Sequence, residues 1–172
     1  MPEHLPDTPC HRQIVATFHQ TAHYLTSRLP DANSIFGNFD PEVNTLKTAA
    51  PDLFFRMDKR RDDKGADAFF QTAVQGQEPY TTKRSERFGI VVGSGGKGQT
   101  YLYWKGDELF QLPVSYWTQL GWVNSPGYRD GVANFDRPTI PRCLECHATY
   151  FASPAPPPNR YSKTQDCPHP PR

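Results

Sequence analysis

The sequence predicts an α+β fold: one helix near the N-terminus, an antiparallel β meander, an irregular segment around a cysteine–histidine motif, and a disordered proline-rich tail. Three observations lead there. Ile14, Phe18, Ala22 and Leu25 recur at i, i+4, i+8 and i+11, which is one apolar helix face. Between Leu53 and Val114 the apolar residues fall in short β-branched and aromatic runs separated by turn residues. Cys143-Leu144-Glu145-Cys146-His147 then follows a stretch that shows neither period.

The helix is expected over 10–26, bounded by Pro9 and Pro30. Residues 31–51 read as loop, because Asn33, Gly37, Asn38, Pro41 and Pro51 interrupt any repeat. Strands are expected at 53–57, 68–74, 87–92, 100–104 and 109–114. Lys105-Gly106-Asp107-Glu108 reads as a tight hairpin turn in which Gly106 takes positive φ. Asn124-Ser125-Pro126-Gly127 is a second turn, inside a segment, 118–142, expected to be irregular. Residues 151–172 hold seven prolines and almost no aliphatic side chain, the composition of a flexible tail. At 172 residues the chain suits one domain. That domain spans 1–150, with helix 10–26, meander 53–114 and motif segment 138–150; the tail is 151–172.

Composition narrows the function classes. Nineteen basic and eighteen acidic residues nearly cancel, and Lys59-Arg60-Arg61 runs straight into Asp62-Asp63. That cluster reads as a solvated charged turn and leaves no electrostatic footprint for nucleic acid. No run approaches the ~20 apolar residues of a membrane span. Met1 to Asp7 lacks the basic start and apolar run of a secretory signal.

Cys143-x-x-Cys146-His147 is the attachment pattern of a c-type haem. Two thiols three residues apart on one turn can reach the two vinyl groups at one porphyrin edge. The adjacent imidazole of His147 then lies under the iron as an axial ligand. A zinc site is the main alternative, with Cys143, Cys146, Cys167 and His169 as a Cys3His set. A redox dithiol is a weaker one, since no βαβ unit surrounds the pair. His19 and His23 lie one turn apart on the N-terminal helix, and either is a candidate second axial ligand. The aromatics Tyr101, Tyr103, Trp104, Phe110, Tyr116, Trp117 and Trp122 suit the wall of a porphyrin pocket, and the plain alternative is that aromatics on strands form the core. Gly93 to Thr100 resembles a phosphate loop but fails it, because Lys97 is followed by Gly98 rather than Ser or Thr. It reads as a strand connection, with contact from Lys97 to haem propionates as the lesser reading.

Cys10-His11-x6-Phe18-x2-Thr21-x-His23 resembles the multihaem cytochromes of the cytochrome c-552/c-554 type. So do the Val92 to Leu102 block, Leu112-Pro113-Val114-Ser115-Tyr116-Trp117, Ser125-Pro126-Gly127-Tyr128, Phe135-Asp136-Arg137-Pro138 and Cys143 to Ala148. The likeness covers about residues 10–151. It implies His23 as an axial ligand and a haem motif ending at Cys10-His11. Asp7 stands where that motif would carry its first cysteine, so only a single thioether through Cys10 remains for a second haem. By that resemblance the chain looks like a truncated member. The resemblance implies one haem c, electron exchange with other haem domains or redox proteins, and an extracytoplasmic or periplasmic location, where haem is attached. Two histidine ligands favour a low potential and a closed iron. Without the second histidine, an enzyme reducing small nitrogen or sulfur oxides is the other expectation.

Overall fold

The β-branched and aromatic runs form two antiparallel sheets in a computed structural model, which describes residues 12–21, 24–148 and 156–161. In chain order the elements are α1 (Arg12–Phe18), β1 (Ser27–Arg28), β2 (Thr45–Lys47), β3 (Leu53–Arg61), β4 (Asp67–Gln75), β5 (Thr82–Arg87), β6 (Ile90–Val92), β7 (Gly98–Lys105), β8 (Glu108–Gln111), β9 (Val114–Trp117), β10 (Gly121–Asn124) and α2 (Pro141–His147). One sheet is the meander β2-β3-β4-β5; the other has the order β1-β6-β7-β9-β10, with β8 also paired to β7.

The α+β expectation with an N-terminal helix over 10–26 is therefore corrected. Among the described residues there are ten strands and two helices of seven residues each, so the fold is mainly β. The apolar spacing of Ile14 and Phe18 is real, but the described residues do not bury that face: Tyr24 meets Phe18 edge-on at 5.3 Å, while Ile14 is 67% exposed and no α1 side chain is buried. A helix that buries nothing has only its propensity to hold it. Here Ile14, Val15 and Thr17 are β-branched, and the Thr17 hydroxyl bonds back to the Gln13 carbonyl at 2.8 Å. After Phe18 the chain tightens into i−3 bonds, Gln20 N–H to Thr17 O and Thr21 N–H to Phe18 O. The Thr21 hydroxyl donates to Phe18 O and accepts from Tyr24 N–H. Residues 10, 11, 22 and 23 of the expected helix lie outside the described residues.

Two further parts of the expected outline change. β2 and β10 occupy segments read as loop and as irregular, each too short to show a period. Within the proline-rich segment, residues 156–161 pack on the sheet: Arg160 bridges to Glu108, and Tyr161 is 1% exposed. The tight turn is as expected, with Lys105 paired to Glu108 and Gly106 at φ 62°.

Alternation sorts the core. Val91, Tyr101 and Tyr103 point between the sheets, where they meet Phe55, Met57 and Phe69 of β3 and β4. Phe88 and Tyr101 stack at 4.3 Å, and Trp122 packs edge-on against Phe39 and Tyr116. Ile90, Val92 and Leu102 point the other way, into a second cluster with Leu109, Leu144, Ala148 and Tyr161. The second sheet is thus covered on both faces, by the meander on one and by α2 on the other. This is why residues 88–92 read as a continuous apolar run.

The sheets are also joined by a polar contact. Between β8 and β9 the pairing to β7 slips: Leu102 faces Gln111, whereas Gln99 faces Tyr116. Leu112 and Pro113 are accommodated as a bulge. Val114 is left without a partner on β7, and Gln71 from the opposite sheet replaces it. Its amide donates to Val114 O at 3.1 Å and accepts Val114 N–H at 2.9 Å. Gln71 is fully buried, so these bonds satisfy groups that water cannot reach.

Candidate functional site

Helix α2 begins where Pro141 follows Ile140, a residue that needs no N–H in the first turn. One side chain, Leu144, is buried within the helix and anchors it on Ile90, Val92 and Leu102. Its ends are tied separately. The Tyr161 hydroxyl donates to Thr139 O at 2.9 Å before the helix, and the Ser27 hydroxyl of β1 donates to the carbonyl of His147 at its last residue. Ala148 N–H returns to Leu144 O at 2.8 Å.

That anchoring sets the aim of the motif. Cys143 and His147 are four residues apart, on one face of α2. Both open on a groove of about 420 Å³ between the helix and sheet residues of β6, β7 and β9. Its walls are largely apolar, with Val92, Leu102, Trp117 and Pro138 among them, and its size is ordinary for a small-molecule site. Cys146, one residue off that face, is exposed, as is Cys143. On the floor, Thr100 accepts hydrogen bonds from Gln111 and Ser115 at 3.0 and 2.9 Å. Gly93 borders the groove at φ 117°, where a side chain would be strained and its Cβ would fall 2.5 Å from Gly98 O.

The other site residues read from the sequence are distributed differently. His19 is half-buried and stacks on Tyr24 at 4.3 Å; it is not among the described residues lining the groove. Cys10, His11, His23, Cys167 and His169 lie outside the described residues. Among the described residues no three His, Cys, Asp or Glu side chains gather into a metal-holding group. No helix among them is long and apolar enough to cross a membrane. The Lys59-Arg60-Arg61 cluster is ion-paired locally, Lys59 with Asp67 at 2.8 Å and Arg60 with Asp58 at 3.0 Å.

The expected aromatic wall is mostly elsewhere. Tyr101, Tyr103 and Trp122 belong to the core between the sheets, and of the seven aromatics only Trp117 is among the described groove residues. Three lining residues, Thr139, Arg137 and Ser115, were not singled out as site residues. Ser115 and Arg137 do stand inside the blocks that carried the resemblance, which was the available signal.

Tyr161 is linked electrostatically to the site. Burial, and then the neighbouring Cys143, push its hydroxyl up to about 12. Burial likewise pushes Tyr103 up to about 12, against the nearby Arg84 guanidinium. Both hydroxyls are thus favoured in the neutral form by folding. Their contribution is full below the ordinary tyrosine value of 10.0 and is lost as pH rises through about 12. Circular dichroism should show thermal stability falling over that window. Tyr161→Phe should flatten the fall, and an unchanged profile would count against these assignments.

Comparison with protein-family models, with curated proteins and with solved structures finds no match for the chain.

Proposed function

We propose that the chain binds one c-type haem covalently and serves in electron transfer. Cys143 and Cys146 would supply the two thioethers and His147 an axial nitrogen. The observation that carries this is the shared opening of Cys143 and His147 onto a largely apolar groove of about 420 Å³, on a helix anchored by its one buried side chain. The donor set agrees: two exposed thiols and an exposed imidazole stand free for bonding, in the spacing that suits a porphyrin edge and face. When bound, the group supplies one-electron exchange near the surface.

The chain's own residues would do the rest. Leu144 holds the motif against the sheet, and Ser27 steadies the carbonyl end of α2. The apolar walls exclude water from one side of the groove. His23, implied as the second axial ligand by the likeness to cytochromes of the c-552/c-554 type, precedes Ser27 by four residues in the chain. The likeness further supports an extracytoplasmic setting, with other haem domains or redox proteins as partners.

Expression behind a secretory leader, together with a haem-maturation system, tests the proposal. The product should be coloured, its mass raised by one haem, and its reduced spectrum unmoved by carbon monoxide. Cys146→Ala should lose the thioether at that position and most of the haem retained after denaturation. A colourless product with the bare polypeptide mass would end this reading.

A further inference from the structure

The groove beside α2 carries one sign of charge. Lys97 and Arg137 line it, and no aspartate or glutamate is among its described lining residues. This is selective in a chain whose total charges nearly cancel. The arginines of the meander are paired, Arg56 with Asp58, Arg84 with Glu86 and Arg87 with Asp62. Among the described residues Lys97 and Arg137 have no carboxylate partner.

Arg137 is also held in place without being neutralised. Its guanidinium donates to Pro126 O and lies 5.4 Å from the centre of the Tyr128 ring, which fixes the direction of the fork while leaving its charge intact. Thr139 lines the same groove and is 5% exposed, but its Oγ1 is enclosed by protein, so it adds wall rather than a polar contact.

We infer that the groove selects a flat apolar molecule bearing carboxylates at one edge, with Lys97 and Arg137 as the carboxylate-recognition pair. The inference rests on the haem reading and names the part of the ligand that the thioether motif does not touch. Cations at the mouth of an apolar wall bind carboxylates through charge-assisted bonds, weakened but not abolished by solvent and salt.

The probe is metal-free mesoporphyrin IX, whose ethyl groups cannot form thioethers and which offers no iron to His147. It is compared with its dimethyl ester on the full, ligand-free chain, by Soret absorbance. The diacid should bind about tenfold more tightly than the ester. Lys97→Gln and Arg137→Gln should each weaken the diacid several-fold and leave the ester unmoved, and added salt should act on the diacid alone. Lys97→Gln guards against misfolding, because among the described residues Lys97 makes no ion pair that it could break. Equal affinity for diacid and ester, or equal losses for both in the variants, overturns the inference. A coloured, haem-loaded matured chain with no diacid preference removes this inference alone. A colourless one removes covalent attachment and the basis of the inference with it.

Discussion

Replacing Leu144 by alanine is expected to cost about 2–5 kcal/mol, the range for a large-to-small change in a packed core. Leu144 is 4% exposed and is the one buried side chain of α2. Its loss removes the packing against Ile90, Val92, Leu102 and Tyr161. The remaining ties are backbone and terminal bonds, which a seven-residue helix cannot convert into order by itself. Chemical denaturation should show the loss, and exchange of the Ala148 amide should accelerate beyond the global change. Leu144→Met keeps the volume and should cost less than about 1.5 kcal/mol. Under the proposed function, covalent haem incorporation should follow helix order, falling in the alanine variant and recovering in the methionine one. An alanine variant within about 0.5 kcal/mol of the parent would mean that something other than this contact holds α2.

The second large effect is expected at Gln71. Gln71→Leu keeps an apolar body of similar size but strands the N–H and C=O of Val114, both bonded to the amide in the parent. Leaving two buried backbone groups without partners should cost about 2–4 kcal/mol. Gln71→Glu separates the two bonds. An ionised carboxylate can accept Val114 N–H but repels Val114 O, whereas the protonated acid can donate to it. Burial and that carbonyl both favour the neutral form, so the folded glutamic acid should titrate above its unfolded value of about 4.3. Its stability is then full below about 4.3 and lost as pH rises through the higher folded value. Relative to Gln71→Leu, the glutamate variant should be rescued at acid pH and not at neutral pH. A Gln71→Leu protein as stable as the parent would show that the bulge at Leu112 and Pro113 needs no filling.

Local patterns carried much of the outline. The strands around Phe55, Phe70, Tyr103 and Phe110 were legible because β-branched and aromatic residues suit a pleated surface, and Gly106 because a tight hairpin demands positive φ. β1, with two residues, and β2, with three, are too short to show a period. β5 hides in a charged run, Thr82–Arg87, with no buried side chain. The N-terminal helix was misjudged for a different reason. The spacing of Ile14 and Phe18 states which face could be buried, and nothing among the described residues buries it. Tyr101 and Trp122 take the core rather than the pocket wall, a choice the sequence leaves open because an aromatic on a strand does not announce which side it takes.

By itself the sequence determined the chemistry that lies within one turn of chain: two thiols and an imidazole at Cys143, Cys146 and His147, and the glycine turn between β7 and β8. Spacing along the backbone specifies these, because covalent geometry limits where neighbours can go. Only the tertiary structure decided what stands opposite them. Lys97, Arg137 and Thr139 reach the groove, Gln71 fills a gap in the far sheet, and Ser27 closes on His147 across 120 residues. A period of two or 3.6 encodes the two sides of one element; strand register and sheet packing choose the partner, and they depend on contacts summed over the whole chain.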